Sequence, residues 1–351
     1  MLASLLWGSA MIRIRPEVSG SLEAGDAGAV TTALQVALEL EFATIPPYLY
    51  AMWSLDPTDA VAKIIKTVIG EEMRHLAMVA NIINALGGTP IFASPDHIPR
   101  YPSVLPGSVE SGVKVGLAPF SIDLVQDIFM TIEQPEHPLP FHAAAAGAAA
   151  EPRTIGQFYR DILATIGGLG DGAFSGPPGN QVGLHGAVKV SNVVSAKQAI
   201  DTIVDQGEGT ATSPLESAGN ALPGTDVAHY YRFEQIVKHH LLSPHPDPSA
   251  PADQQFSFDG PDIPVPTGVL DLPVNPTAAG YPEGSDARTA CDGFNASYTS
   301  MLKILQTVFT GQPGQLGTAV GAMNALDQTA RTMVAATPPV GPTFEWRDVS
   351  A

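Results

Sequence analysis

The chain has 351 residues, of which 44% are apolar and 15% are charged, with a formal net charge of −18 and a pI near 4.7. This composition is that of a globular protein and excludes an intrinsically disordered one. The negative charge argues against nucleic acid or an anionic membrane as a partner, and the single cysteine, Cys291, excludes an intramolecular disulfide and a thiolate metal site.

Residues 1–27 are predicted to form a partly disordered N-terminal arm. Residues 2–11 are apolar but short, without a basic region or a convincing cleavage site, so we do not expect a signal peptide. No stretch is long and apolar enough to span a bilayer. A cytoplasmic location is therefore expected. The rest of the chain is predicted to divide into a metal-binding bundle over 28–245 and a Pro/Gly-rich segment with a closing helical hairpin over 246–351.

Residues 31–55 contain the first helical seam, in which buried positions recur at steps of four and three. Glu41 falls on this seam, whereas Glu39 does not. Tyr48 lies two turns beyond Glu41 on the same face, where its phenol can donate to a metal-bound oxygen, and it is our candidate for a catalytic supporting role; the alternative is a core tyrosine. Pro46 and Pro47 either end the helix or bend it. A bend is favoured because the seam continues past them.

Residues 61–86 contain a second seam with the same spacing, and two of its eight positions are polar: Glu72 and His75. Residues three apart lie on one face of a helix. A buried carboxylate is costly unless something compensates it. A divalent metal does so, and Glu-x-x-His on inward helix faces recurs in di-iron and di-manganese bundles. The alternative is a buried hydrogen-bonded pair.

The remaining helices are shorter and separated by loops. After a long Pro/Gly/Ser-rich crossover, residues 121–133 predict a helix that Ser121 caps and Pro135 stops, with Glu133 near its apolar face. Helices follow over 154–166, 195–208 and 225–242, and a hairpin over 286–310 and 315–336. Residues 244–282 hold the only strand-like pieces. The predicted fold is all-α, a four-helix bundle with interrupted third and fourth helices and an additional C-terminal helical hairpin.

Four helices thus each place an acid or a histidine on the inner face. The predicted metal ligands are Glu41, Glu72, His75, Glu133, Glu208 and His229. Glu208 and His229 form a second pair if residues 209–224 bulge from one broken helix. Four carboxylates and two imidazoles suit iron or manganese and argue against a tetrahedral structural zinc.

Each assignment has an alternative. Glu41 can form a salt bridge with Arg74 or another basic residue, Glu133 can simply end its helix, Glu208 lies at a helix end, and His229 can be a core histidine.

Seven motifs resemble a known family, the ferritin-like proteins of the iminophenyl-pyruvate dimer synthase type. They are ALELEFATIPPYLYAM, GEEMRHLAMVANIINALGG, FMTIEQPE, TIGQFYRDI, DQGEGT, HYYRFEQI and ARTACDGFNASYTSML, within residues 12–344. That family includes the ferritin-like portion of the enzymes that couple two tryptophan-derived imines in violacein and rebeccamycin biosynthesis. The resemblance implies a ferritin-like bundle whose metal motifs fall on Glu41, Glu72, His75, Glu208 and His229, with Glu133 as the acid of the third helix.

Two departures limit what the resemblance implies. Gln157 stands where the family pattern suggests TIGEFY, although helical periodicity turns that side chain away from the apolar face. The pathway enzymes also carry a large additional region that this chain lacks, so their substrate is not carried over.

The functional hypothesis is a non-haem oxidoreductase with two iron ions, or manganese as the alternative, acting on a small aromatic imine, enamine or α-keto-acid derivative. Glu72 and Glu208 are expected to bridge or cap the metals, with Glu41 and Glu133 terminal. The predicted partners are a small-molecule substrate and dioxygen or peroxide, with no nucleic acid and no membrane; a homodimer stays open. Three alternatives remain: a ferroxidase or metal-storage protein, a manganese catalase, and a structural bundle whose polar seam groups pair with one another.

Overall fold

The protein is described here by a computed structural model that covers Ile14 and residues 20–107, 113–135, 154–210, 213–216, 226–247, 249–250 and 254–348. The predicted arm therefore lies largely outside the described residues. Within them the chain is an all-α bundle of eight helices with one two-stranded antiparallel pair, β1 (Ser243–Pro244) and β2 (Phe256–Ser257). None of the described helices combines the length and apolar character needed to cross a membrane.

The two longest helices form an antiparallel hairpin. Helix α1 spans Ala27–Trp53 and helix α2 spans Ala60–Ala85, and they pack along their length. The Asp26 side chain caps α1 by accepting from Ala29 N. The apolar positions of both predicted seams are buried, which confirms these two helices.

Helix α1 continues through Pro46 and Pro47, as the uninterrupted seam predicts. Pro47 has no N–H for the Ala43 carbonyl four residues earlier. Tyr101 in the crossover loop replaces that donor, because its hydroxyl donates to Ala43 O at 2.8 Å. A loop side chain thus satisfies the carbonyl that proline leaves without a donor, two residues beyond Glu41.

The other half of the bundle consists of two broken rods. The third rod comprises α3 (residues 122–132) and α4 (Ile155–Leu169), and the fourth comprises α5 (Val193–Glu208) and α6 (His229–Lys238). Helix α4 packs on α5, and α3 packs on α6, as expected of two antiparallel interrupted rods. Helices α1 and α2 contact α4 and α5 respectively, and this closes the bundle.

Helix α3 contains a π-helical turn at Val125–Phe129, in which Met130 N–H bonds to Val125 O, five residues earlier. Ser121 caps its start by accepting from Leu124 N at 3.0 Å, as predicted. π-Turns insert one extra residue into a helix and occur frequently at functional sites. This one lies directly before Glu133.

Helix α6 is shorter than predicted, so the expectation of a helix over 225–242 was wrong at both ends. Residues 226–228 are extended, with Ala228 N bonded to Pro214 O, and His239 ends the helix with a φ of 60°. After that residue the chain turns into β1. The segments on both sides of α6 form backbone hydrogen bonds with other parts of the chain. These bonds prevent the segments from continuing the helix that the periodicity predicts.

The C-terminal hairpin is confirmed as α7 (Asp286–Phe309) and α8 (Leu316–Val334). It packs against the outer side of the α1–α2 hairpin, where Trp53 Nε1 donates to Asp327 Oδ1 at 2.7 Å. The predicted boundary at residue 245 remains a prediction.

Candidate metal centre

Helix α2 lies at the middle of the site, and α1 faces it. Glu72 and His75 are both almost fully buried, at 2% and 1% exposure. The His75 Nδ1 atom lies 3.3 Å from Glu41 Oε2 on α1 and 3.7 Å from Glu72 Oε1. The seam spacing therefore brings the three predicted side chains of the first two helices together.

The broken rods supply the other side of the site. His229 begins α6 and Glu133 follows α3 directly. The His229 Nδ1 atom lies 2.9 Å from Glu72 Oε1 and 3.5 Å from Glu133 Oε2. The two imidazole rings stack with their centroids 5.4 Å apart, so the histidines face the same space.

These five residues form two groups that share one carboxylate. Glu41, Glu72 and His75 offer one ligand atom each within 4.8 Å of one another, and so do Glu72, Glu133 and His229. A carboxylate has two oxygens and can bridge two cations. The arrangement can therefore bind metal, with Glu72 available to both groups, and its oxygen and nitrogen donors are of the kind that divalent transition metals accept.

The charge balance supports cation binding. Five carboxylates are buried in and behind this site, namely Glu41, Glu71, Glu72, Glu133 and Glu216. The buried guanidiniums near them are those of Arg74 and Arg232, which neighbour Glu71 and Glu216. With neutral imidazoles, three negative charges are left without an arginine. Buried charge of this kind requires compensation, which bound cations or protons can supply.

The Nδ1 atom of His229 tests whether the residues present fit a metal. The His229 Nδ1 atom is buried and makes no hydrogen bond, although Glu72 Oε1 lies 2.9 Å away. The other ring nitrogen of His229, Nε2, lies 2.9 Å from Glu71 Oε2. A histidine that ligates a metal through one nitrogen almost always donates from the other, often to a carboxylate. The residues present fit a metal at Nδ1 of His229.

A polar network lies behind both histidines. The His75 Nε2 atom is 2.9 Å from Gln206 Oε1, and Gln206 Nε2 donates to Glu216 Oε2 at 3.0 Å. Arg232 closes the network by contacting Glu71 Oε2 at 2.7 Å and Glu216 Oε1 at 3.0 Å. Both imidazole rings are thus held by buried partners on the side away from the two ligand groups.

Burial and neighbouring charge shift the pKa values of the site. Burial, then the charges of Glu133 and Glu41, raise the pKa of Glu72 to about 7, against the pull of His229. Burial alone would lower the pKa of His75, but the hydrogen bond and charge of Glu41 raise it. The pKa of His229 is likewise raised well above its usual value, because the adjacent carboxylates of Glu133, Glu71 and Glu72 outweigh burial. Protons on Glu72 and on the two imidazoles can therefore offset part of the buried negative charge when no metal does.

Three hydroxyl groups hold the carboxylates. Tyr48 donates to Glu133 Oε1 at 2.5 Å, and Tyr159 on α4 donates to Glu41 Oε1. The Thr44 hydroxyl lies 2.8 Å from Glu72 Oε2. The predicted face of Tyr48 is correct, and its partner is the Glu133 carboxylate. Burial, together with the adjacent carboxylates, raises the pKa values of both tyrosines well above normal, so the phenols stay protonated donors.

Glu208 is placed differently from the other predicted ligands. It lines the same cavity, but it belongs to neither ligand group. Its Oε1 accepts from Gly156 N at 2.9 Å, near the start of α4. A Cβ on Gly156 would lie 2.5 Å from a Glu208 oxygen, so glycine is required for this approach. The assignment of Glu208 as a ligand remains a prediction.

Gln157 caps α4. Its Oε1 accepts from Thr154 N at 2.9 Å, while Thr154 Oγ1 accepts from Gln157 N at 3.1 Å, forming a capping box. A glutamate can accept the same bond. Gln157 is not among the residues that line the metal cavity. The outward orientation expected from periodicity is confirmed.

The cavity between the helices has a volume of about 50 Å³. Its apolar walls include Leu40, Leu105, Ile132, Ile155 and Ile203. Such a space suits metal ions with a molecule the size of water, peroxide or dioxygen. The alternative in which Glu41 pairs with Arg74 is not observed, since Glu41 contacts His75 and Tyr159.

Sequence reasoning missed the outer network. Glu71 lies on α2 directly before Glu72 and is fully buried. The seam pattern did not identify it, because Glu71 is not one of the seam positions. Gln206 and Arg232 lie in segments whose relative placement depends on the break between α5 and α6. Tyr159 belongs to the helix predicted over 154–166, and its hydroxyl group was the available signal.

Comparison with known proteins agrees with this geometry. Residues 34–238 match the family model described as ferritin-like. The crystal structure of a ferritin-like protein from Caulobacter vibrioides superposes with a TM-score of 0.57 at 23% identity, covering 89% of this chain and 96% of that chain, a likeness in fold. No curated protein matches the chain. Since the matched residues make up more than half of its length, the chain belongs to the ferritin-like family.

Proposed function

We propose that the protein is a di-iron oxidoreductase that uses dioxygen or peroxide to oxidise a small aromatic imine, enamine or α-keto-acid derivative. The observation that carries the proposal is the pair of buried ligand groups that share Glu72. The motifs that resemble the iminophenyl-pyruvate dimer synthase type point to the substrate class.

Each residue has a defined task in this proposal. Glu41, Glu72 and His75 would hold one ion, and Glu72, Glu133 and His229 would hold the other. Tyr48 and Tyr159 fix the Glu133 and Glu41 carboxylates by donating to them. Glu71 and Gln206 orient the imidazoles. The apolar walls exclude bulk water from the site.

The chemistry that bound iron would supply is redox chemistry, in which electrons pass from an organic substrate to dioxygen or peroxide. Joining two imine molecules breaks two C–H bonds, forms one C–C bond and releases two electrons and two protons. Hydrogen peroxide accepts these and becomes two waters; dioxygen accepts them and becomes hydrogen peroxide. The cavity of about 50 Å³ admits either oxidant, and the aromatic substrate requires a wider opening.

Metal analysis followed by oxygen exposure tests the proposal. We expect the purified protein to take up two ferrous ions per chain without oxygen. Admission of oxygen should then give a new absorption band, and the band should decay faster with an aromatic imine present. A fully loaded protein that shows no reaction with oxygen or peroxide contradicts the proposal.

The cavity size supports a second candidate, an enzyme that handles only peroxide or metal, such as a manganese catalase or ferroxidase. Rapid peroxide disproportionation by the manganese-loaded protein, without reaction toward imines, would favour the catalase. Uptake of many more than two irons per chain in a cage-like particle would favour ferroxidase or storage. Light scattering and metal counting separate the latter from the di-iron enzyme.

A further inference from the structure

A second cavity lies on the opposite side of α1 and α2 from the metal centre. Its volume is about 390 Å³, within the range of small-molecule sites. On α1, Glu41 lines the metal cavity and the next residue, Phe42, lines the second cavity. On α2, His75 lines the metal cavity and Leu76 lines the second one. The hairpin of α7 and α8 forms the far wall.

The interior of this second cavity is apolar and adaptable. Its aromatic walls are Phe42, Trp53, Tyr298, Phe309 and Phe344. Four methionines also line it, namely Met52, Met73, Met301 and Met323. Aromatic rings bind flat apolar groups, and methionine side chains adjust to varied shapes. These walls favour an aromatic body over a polar ligand.

The lining contains one buried polar group without a hydrogen-bond partner among the described residues, and one exposed cation; the exposed side chains of His185 and Asn324 also line it. The Tyr298 hydroxyl is buried and makes no hydrogen bond. Lys66 is exposed at the mouth and forms no ion pair with any residue that the structure describes. The lining carboxylate, Asp327, is already held by Trp53 and Arg331. An oxygen acceptor on a ligand would satisfy the buried Tyr298 hydroxyl, and a negative charge on it would be attracted to the exposed Lys66 ammonium at the mouth.

We propose that this cavity binds an amphipathic organic anion, an aromatic carboxylate whose body carries an oxygen that accepts from Tyr298 while its carboxylate meets Lys66. The site is separate from the metal centre and shares no lining residue with it. The proposal does not depend on the oxidoreductase assignment.

The test uses three probes that differ by one group: 6-methoxy-2-naphthylacetate, 2-naphthylacetate without the ether oxygen, and the neutral 6-methoxy-2-naphthylacetamide. Titration of the full chain, followed by naphthalene fluorescence, gives a Kd for each. We expect the methoxy acid to bind tightest. The loss of the ether oxygen or of the charge should each weaken binding several-fold.

Matched variants assign each preference to a residue. Tyr298→Phe should abolish the preference for the ether oxygen, and Lys66→Gln the preference for the acid over the amide. Lys63→Gln, on the same helix outside the lining, is the charge control. If each variant keeps the full preference, the proposed contacts are wrong.

Gly70 offers a variant that closes the cavity. It lies within α2, lines the cavity, and a Cβ added there meets nothing within 4 Å. Gly70→Leu should weaken the methoxy acid at least tenfold, whereas Gly70→Ala should bind it nearly as well as the native protein. Metal content should be unchanged in both, which separates this site from the metal centre.

Three results would overturn the proposal. The first is an unchanged Kd in Gly70→Leu. The second is no saturable binding of any of the three probes by the native chain. The third is a dimer, detected by light scattering, that Gly70→Leu dissociates while probe affinity stays the same, because the cavity would then be an interface between copies.

Discussion

Glu72 is the residue on which both ligand groups depend, whereas Glu133 belongs to one of them. Each keeps its shape as glutamine but loses its charge. We therefore expect Glu72→Gln to lose both metals and Glu133→Gln to lose one, measured by elemental analysis after loading. Glu283→Gln, an exposed acid in a C-terminal loop, is the control and should keep both. Equal metal loss in the two site variants would contradict the shared role of Glu72.

Glu71 acts through His229 in our interpretation, so its removal should weaken metal binding without abolishing it. Loss of such a partner typically costs 10- to 100-fold in metal affinity. We expect Glu71→Gln to show a loss of about that size in chelator competition and still to reach two metals at saturation. Glu234→Gln, a partly buried acid beside Lys238, is the control. No change in affinity would remove Glu71 from this role.

Metal affinity should rise with pH, because metals compete with protons at this site. Burial and nearby acids raise the pKa of Glu72 to about 7, so about nine-tenths of it is protonated at pH 6 and about one-tenth at pH 8. The pKa values of His75 and His229 are raised too, which acts in the same direction. Between these pH values we expect about tenfold tighter binding per unit for each proton released. A flat pH profile by chelator competition would contradict this.

At the scale of elements, the π-turn of α3 determines the direction in which Glu133 points. Deleting Gln126, an exposed residue within that turn, should restore a regular helix and rotate Glu133 by about 100° relative to the helix start. We expect metal content to fall from two to one with helical circular dichroism retained. The control is Gln126→Ala, which keeps the chain length. Retention of both metals in the deletion variant would show that the turn does not position Glu133.

The elements also show what the sequence can reveal about the site. The seams of α1 and α2 place Glu41, Glu72 and His75 on one face because a long regular helix fixes every side-chain direction. Neither the π-turn nor the short α6 could be predicted, because each depends on contacts with distant segments. Glu71 was missed for a related reason, since its partner Arg232 becomes a neighbour only when the fourth rod folds back on α2.

At the scale of the whole molecule, the C-terminal segment docks on the bundle at a close approach between Gly341 and Tyr50. A Cβ on Gly341 would lie 2.0 Å from the Tyr50 hydroxyl oxygen. We expect Gly341→Ala to destabilise the protein by about 1–3 kcal/mol in denaturant unfolding. The cost should be smaller in a Tyr50→Phe background, because the nearest clash is then gone. Equal costs in both backgrounds would mean that the chain relieves the contact elsewhere.

The α1–α2 hairpin separates the metal cavity from the second cavity by the thickness of one helix. Acids and imidazoles line one side of it, and aromatic and methionine side chains line the other. A substitution that shifts either helix is therefore expected to change the shape of both cavities. Variants that enlarge the apolar cavity should therefore be tested for metal content at every round. Conversely, ligand binding in the second cavity should change the absorption spectrum of bound metal, so that spectrum can be used to detect the ligand.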